Sequence, residues 1–327
     1  MIQHSKTTLS NNDYHQIKKV LDLNSITSGN ILKKFTLSFS KFIEKEFIHT
    51  FSSGSQALYE LLLSLRFEDG SDILIPSYIC NNVKKAINKA KLNAIYYDNQ
   101  KDSWISSADE IRNKITKKTK VIVVNHTFGI RYNKSEIESL QRLNIPLIED
   151  NAHFISNNIQ DIEISNLFLA SIYSFNATKL LTTGEGGAVA TNDNQLNKRL
   201  CKNILDSGFS DINAAIGLSQ LNRFHEFLVK RKEIACFYIE NLGDVAKAIQ
   251  IEKSIFFRFP ILVANDKLFL KSKKVAYKKG VDNILSDLEN VKDIFKKTIS
   301  LPIYPLLTKE EMDMVVKETI QIIERKS

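Results

Sequence analysis

Cysteine is scarce in this chain: Cys80, Cys201 and Cys236 are an odd number of thiols set far apart. That excludes a disulfide framework and fits reduced thiols. Six scattered histidines, with no HxxxH and no CxxC, give no metal-ligand spacing, so no metal is expected. Glycine and proline are also sparse, 11 and 5 in 327 residues, which excludes a fibrous or low-complexity chain. No run reaches the ~20 apolar residues of a membrane span. The N-terminus, MIQHSKTTLSNNDYH, lacks the apolar core of a secretory signal. A cytoplasmic protein without membrane attachment is expected.

What is present is an ordinary globular composition, 43% hydrophobic and 25% charged, in a chain longer than a typical single domain. The net charge of +8 invites a nucleic-acid reading. The lysines, however, are spread along the chain, and no aromatic-interleaved basic stripe or nucleic-acid motif appears. No nucleic-acid partner is expected; a basic balance equally suits an enzyme with phosphorylated ligands.

Residues 30–47 carry Phe35, Phe39 and Phe42 at helical spacing, and a helix is expected there. The small-residue loop Ser52–Ser55 runs into a second helix with Ala57, Leu58, Leu61, Leu62 and Leu65 on one face. Short apolar runs follow at 72–76, 94–98, 120–129, 145–150 and 171–175, with helical patterns at 80–91, 134–143 and 194–206. Such alternation indicates an α/β fold with a mostly parallel sheet, whose ligands sit outside the carboxyl ends of the strands. Residues 211–242 read as one long helix or two in tandem, with Ile212, Ala215, Ile216, Leu228, Ile234, Phe237 and Tyr238 inward. The remainder has a strand candidate at FFRFPILV, Lys-rich helical segments and a final helix over TKEEMDMVVKETIQII. A large domain over 1–208 and a linking helix with a smaller α+β domain over 209–327 are therefore expected.

Three segments can carry chemistry. SSGSQA at 52–57 places a helix N-terminus beside Gly54, which suits a phosphate because unpaired amides and the helix dipole favour an anion. Small residues also cap helices for purely structural reasons. IPLIEDNAH ends an apolar strand with Glu149, Asp150 and His153. An acid there touches a ligand or is a solvated loop acid. Against a pyridine nitrogen, a carboxylate keeps that nitrogen protonated and the ring electron-withdrawing, a role Asp150 fits. In SFNATKLLTTGEGGAVATND, Lys179 follows an apolar strand and the hydroxyl of Ser174, and precedes a glycine-rich turn. A lysine becomes a nucleophile only where its site lowers its pKa or commits it to an imine.

Taken in order, GSQAL, PSYIC, HTFG, EDNAH, SFNATK with TGEGG, DINAAIGLSQL and SLPIYPLLT resemble the DegT/DnrJ/StrS sugar aminotransferases, from about residue 25 to the C-terminus. The resemblance implies the fold type I aminotransferase architecture and pyridoxal 5'-phosphate (PLP) as cofactor. Lys179 corresponds to the lysine that forms the Schiff base and moves the proton, and Asp150 to the partner of the pyridinium nitrogen. His153 lies on the 3-hydroxyl side of the ring. Gly54, Ser55, the amide of Gln56 and Ser174 correspond to the phosphate site. The lysine at 179 argues against the related dehydratases, which carry histidine there.

The chain departs from the pattern at three places. Cys80 stands where relatives place an aromatic residue on the ring face, so stacking is lost or passes to Tyr78. The loop that reaches a neighbouring subunit's phosphate is reduced to Phe209 and Ser210, with Asn213 open to that contact or to a helix start. A segment lining the sugar pocket is shortened between Val263 and Ser300, and a smaller or more open pocket is expected. The resemblance implies a homodimer that moves an amino group from glutamate or glutamine to a nucleotide-linked keto-sugar for surface-glycan synthesis. Alternatives are another keto acceptor, or a non-catalytic relative that binds PLP or a nucleotide sugar.

Overall fold

The computed structural model describes residues 1–24, 26–203, 208–246 and 251–324. Its larger sheet has seven strands: β1 (Phe47–Phe51), β2 (Asp72–Pro76), β3 (Asn93–Tyr97), β4 (Thr119–Asn125), β5 (Leu147–Asp150), β6 (Ala170–Ser174) and β7 (Gly187–Thr191). They lie in the order β1-β7-β6-β5-β4-β2-β3. Strands β2 to β6 are parallel, and β7 runs antiparallel to both of its neighbours.

A parallel sheet is covered on both faces, so its strands must be apolar on consecutive residues. Ile73, Ile75, Val121, Val123 and Ile148 pack on one face with Leu58, Leu61 and Leu62 of the helix Gly54–Leu65. Leu74, Ile122, Val124 and Leu147 turn to the other face, against Ile111, Ile137 and Leu140. This period of two sends neighbouring residues of one strand to opposite faces.

The helix expected over 30–47 ends at Ile43, where Glu44 takes a left-handed conformation (φ 51°), and the chain re-enters the sheet as β1. Pairing with β7 decides this, in register from Phe47↔Thr191 to Phe51↔Gly187. The helical pattern at 194–206 is a helix over Asn194–Asn203; its last three positions lie outside the described residues. Residues 211–242 are two helices, Asp211–Asn222 and Phe224–Leu242, meeting at Arg223. Ala215, Ile234 and Tyr238 are buried as expected, but Ile212, Ile216, Leu228 and Phe237 are half-buried. The first of these helices packs on Asn30–Ile43, where the Phe35 and Phe209 rings stack at 5.7 Å.

Beyond Arg223, β8 (Phe259–Leu262) and β9 (Thr298–Leu301) pair antiparallel as a separate two-stranded sheet. The strand expected from Phe256 starts three residues later because Phe256 is left-handed (φ 53°). The core around this sheet also takes in Tyr78, Trp104 and Phe128 from the first half of the chain. Among the described residues, no helix is long and apolar enough to cross a membrane.

Candidate active site

Strands β4, β5 and β6 end side by side, with Asn125 paired to Asp150 and Asp150 to Ile172. At these carboxyl ends opens a cleft whose lining includes Tyr78, Cys80, His126, Asp150, His153 and Lys179. Five side chains singled out from sequence, Tyr78, Cys80, Asp150, His153 and Lys179, thus face one space.

Lys179 sits in the loop between β6 and β7. That loop is pinned at its base by the Phe175 amide donating to Gly186 O (2.8 Å) and the Thr183 amide to Phe175 O (2.9 Å). Burial lowers the Lys179 amine to about 8, and the nearby Arg258 cation adds to this, while Asp150 and Cys80 pull the other way. Burial raises the Asp150 carboxyl, opposed by the Ala152 amide, which donates to Oδ1 at 2.9 Å, and by Lys179. Burial and the same two cations hold the His153 ring well below its usual value, so it is neutral at pH 7. That ring stacks on Phe257 at 4.2 Å.

The Tyr78 hydroxyl donates to the Lys279 carbonyl, and its ring meets Phe128 and Phe295 edge-on at 5.8 and 6.0 Å. Cys80 is exposed and precedes the helix Asn81–Lys89. The segment after β8 returns to close this side, placing Gly280 and Val281 in the cleft wall.

Gly54, Ser55, Gln56 and Ser174 form a second group around the start of the helix Gly54–Leu65. A Cβ on Gly54 would lie 3.0 Å from Ser174 Cβ, so the helix N-terminus abuts the end of β6. The Gln56 amide, expected at a phosphate, is instead engaged by the Ser53 hydroxyl at 3.1 Å, because Ser53 is the helix N-cap. Its side chain donates to Glu60 (2.8 Å). The amides of Gly54 and Ser55 have no partner within the helix. Asn213 takes the helix-start role: it closes a capping box with Ser210, and its Nδ2 donates to Thr183 O at 2.9 Å.

Glu149, one residue before Asp150, lies in a different environment. It is buried, accepts from Asn151 (2.7 Å), Ser165 (2.7 Å) and Ser171 (2.6 Å), and lies 3.0 Å from His126 Nε2. Burial would raise its pKa, but His126, Ser171 and the buried Lys45 outweigh it and hold the group ionised. Sequence reading missed His126, Phe257 and Arg258. Arg258 had left a signal, since it interrupts the apolar run FFRFPILV.

A mostly parallel seven-stranded sheet, with Lys179 and Asp150 lining one cleft at its strand ends and a glycine-serine helix start beside the end of β6, gives the fold type I aminotransferase architecture. The sequence profile of the DegT/DnrJ/EryC1/StrS aminotransferase family matches residues 7–210 and 205–276, and the chain belongs to that family. GDP-perosamine synthase of Escherichia coli O157:H7 is 29% identical over 268 residues, covering 76% of this chain and 73% of its own. PseC of Helicobacter pylori, an aminotransferase of pseudaminic acid biosynthesis, superposes with a TM-score of 0.88 at 22% identity, over 98% of this chain and 99% of its own. NtdA of Bacillus subtilis, solved with its cofactor PMP, gives 0.84 at 23% identity, over 98% and 86%.

Proposed function

We propose that this chain transfers an amino group from glutamate, or glutamine, to the keto group of a nucleotide-linked sugar, with PLP as cofactor. The observation that carries the reading is the Lys179 amine, lowered to about 8, at the foot of the cleft that Asp150 also lines. An amine so tuned has roughly a tenth of its population unprotonated at pH 7, far more than an ordinary lysine, which favours its use as a nucleophile and proton carrier. When bound, the cofactor supplies an electron sink that lets the donor's Cα–H bond break heterolytically.

The residues fit that group. Asp150 would meet the ring nitrogen; its proximity to Lys179 favours the carboxylate against the pull of burial. His153, neutral and held by Phe257, would flank the 3-hydroxyl side without adding charge. Ser174 and the amides of Gly54 and Ser55 would hold the phosphate, an anion at a helix N-terminus. Lys179 would attach the cofactor and carry the proton between substrate carbon and cofactor. The name GDP-perosamine synthase supports a nucleotide-linked acceptor.

We take the larger domain to be 1–208, with the helix Asp211–Asn222 packed onto it, and the smaller domain to begin after Arg223. A homodimer completes the reading. The exposed Leu9, Tyr14, Leu21, Leu23, Ile26 and Leu37, all near the N-terminus, support a covered face. The test is to follow ¹⁵N from labelled glutamate or glutamine into a panel of nucleotide-linked 4-keto and 3-keto sugars by mass spectrometry. Label in one acceptor is expected. Label in small keto compounds only would overturn the sugar assignment.

A further inference from the structure

The segment before the helix Asn11–Asp22 touches two distant parts of the chain. At one end Ile2 pairs in parallel with Val275: its amide donates to Lys274 O (2.7 Å), and the Ala276 amide donates to Ile2 O (2.9 Å). Ile2 and His4 are buried while Gln3 between them is exposed, the alternation of a strand. His4 Nε2 lies 3.1 Å from Ser300 Oγ of β9, and Ser300 in turn pairs with Lys278 through two backbone hydrogen bonds (2.7 and 3.3 Å). This end is therefore joined to the smaller sheet.

Three residues past His4 the chain has reached the lysine loop. The Thr7 hydroxyl donates to Ala177 O at 2.9 Å, two residues before Lys179. Just beyond, Gln220 Nε2 donates to Thr8 O (2.9 Å) and to Asp13 Oδ1 (3.1 Å), and Arg223 pairs with Asp13 at 2.6 Å. This end is therefore joined to the helix Asp211–Asn222. Five steps of chain from Ile2 to Thr7 reach at most about 18 Å, so the two anchors cannot move further apart unless one of them lets go.

The anchors hold two walls of the cleft. Ala177 belongs to the loop that carries Lys179. From Val275 the chain runs through Lys278 to Gly280 and Val281, which line the cleft. Gly280 sits so close to the Phe128 ring that a Cβ would overlap it, which fixes this wall in turn. The lysine loop is pinned at its base by Phe175 and Thr183; among the described residues, the hydrogen bond from Thr7 is the one from outside the loop nearest in sequence to Lys179.

We infer that residues 2–7 are a strap coupling these two walls, and that Thr7 is a positioning residue: by holding Ala177 O it sets where Lys179 stands relative to Gly280 and Val281. The strap rests on the contacts above; its service to Lys179 chemistry rests on the aminotransferase reading.

The experiment is hydrogen–deuterium exchange of the full-length protein without PLP, read on the peptide covering 175–183. Wild type is compared with Thr7→Val, Thr7→Ser, Ser300→Ala and the double variant Thr7→Val/Ser300→Ala. PLP attachment to the same proteins is followed by absorbance, and folding by thermal melting. Thr7→Val is expected to speed loop exchange about fivefold and to slow PLP attachment by a like factor, equivalent to about 1 kcal/mol, the net worth of one hydrogen bond. Thr7→Ser keeps the hydroxyl and should match wild type. Ser300→Ala, which loosens the remote anchor, is expected to speed loop exchange about twofold, and the double variant to go no further than Thr7→Val, because a strap already released has nothing more to transmit.

Loop exchange at the wild-type rate in a folded Thr7→Val would overturn the inference. So would a double variant whose effect is the product of the single ones, which would mark two separate local contacts. Faster exchange with unaltered PLP attachment would overturn the positioning role of Thr7. Should the wild type attach no PLP, the functional reading fails, while the exchange rates still decide the strap.

Discussion

Glu149 and Asp150 are adjacent on β5 and belong to opposite regions of the molecule. Glu149 is surrounded by donors, from His126, Asn151, Ser165 and Ser171, and is held ionised in the interior. Among the described residues Asp150 receives one protein donor, the Ala152 amide, and it lines the cleft, where burial pushes its carboxyl up. The period of two along a strand separates them, and what each meets decides its use. A saturated buried charge fixes the strand; an undersaturated one is left for a ligand.

Substitutions on the two sides should therefore separate activity from stability. Lys179→Ala has the largest expected effect, a loss of transfer of about 10⁴-fold or more with folding retained, because it removes the acid/base and the attachment point together. Asp150→Asn should cost about 10²- to 10³-fold in kcat while leaving the melting temperature close to wild type, since no internal network depends on it. Glu149→Gln should do the reverse. Breaking its buried pair with His126 is expected to cost about 3 kcal/mol in denaturant unfolding, with activity per folded molecule within about threefold. Equal losses of activity and stability at both positions would erase the distinction between the two regions.

A smaller and more particular effect is in pH. The amine reacts unprotonated, so the rate of PLP uptake should rise with pH and level off above about 8, the value at Lys179. Removing the like charge in Arg258→Gln should move that midpoint upward, toward the ordinary lysine value of 10.5. A midpoint already at the ordinary value in wild type would contradict the burial of this amine.

That Asp150 and Lys179 share one cleft was legible in the sequence because both lie just past the ends of apolar runs: IPLIED delivers Asp150, and SIYSF followed by a turn delivers Lys179. Strands β1, β7 and β9 were not. FIHTF, GAVAT and TISL are short, polar or built of small residues, and only pairing makes them strands. The local engagement of Gln56 was not legible, since Ser53 accepts from its amide as the helix N-cap. Phe257, Arg258 and Gly280 reach the site by tertiary packing from the second half of the chain, which no local pattern encodes.

The most direct measurement is where PLP attaches. Borohydride reduction of the PLP-loaded protein, followed by peptide mass mapping, is expected to find one stoichiometric phosphopyridoxyl group on the peptide containing Lys179, absent from Lys179→Ala. Modification spread across surface lysines, with Lys179 unlabelled, would contradict the assignment of this cleft as the active site.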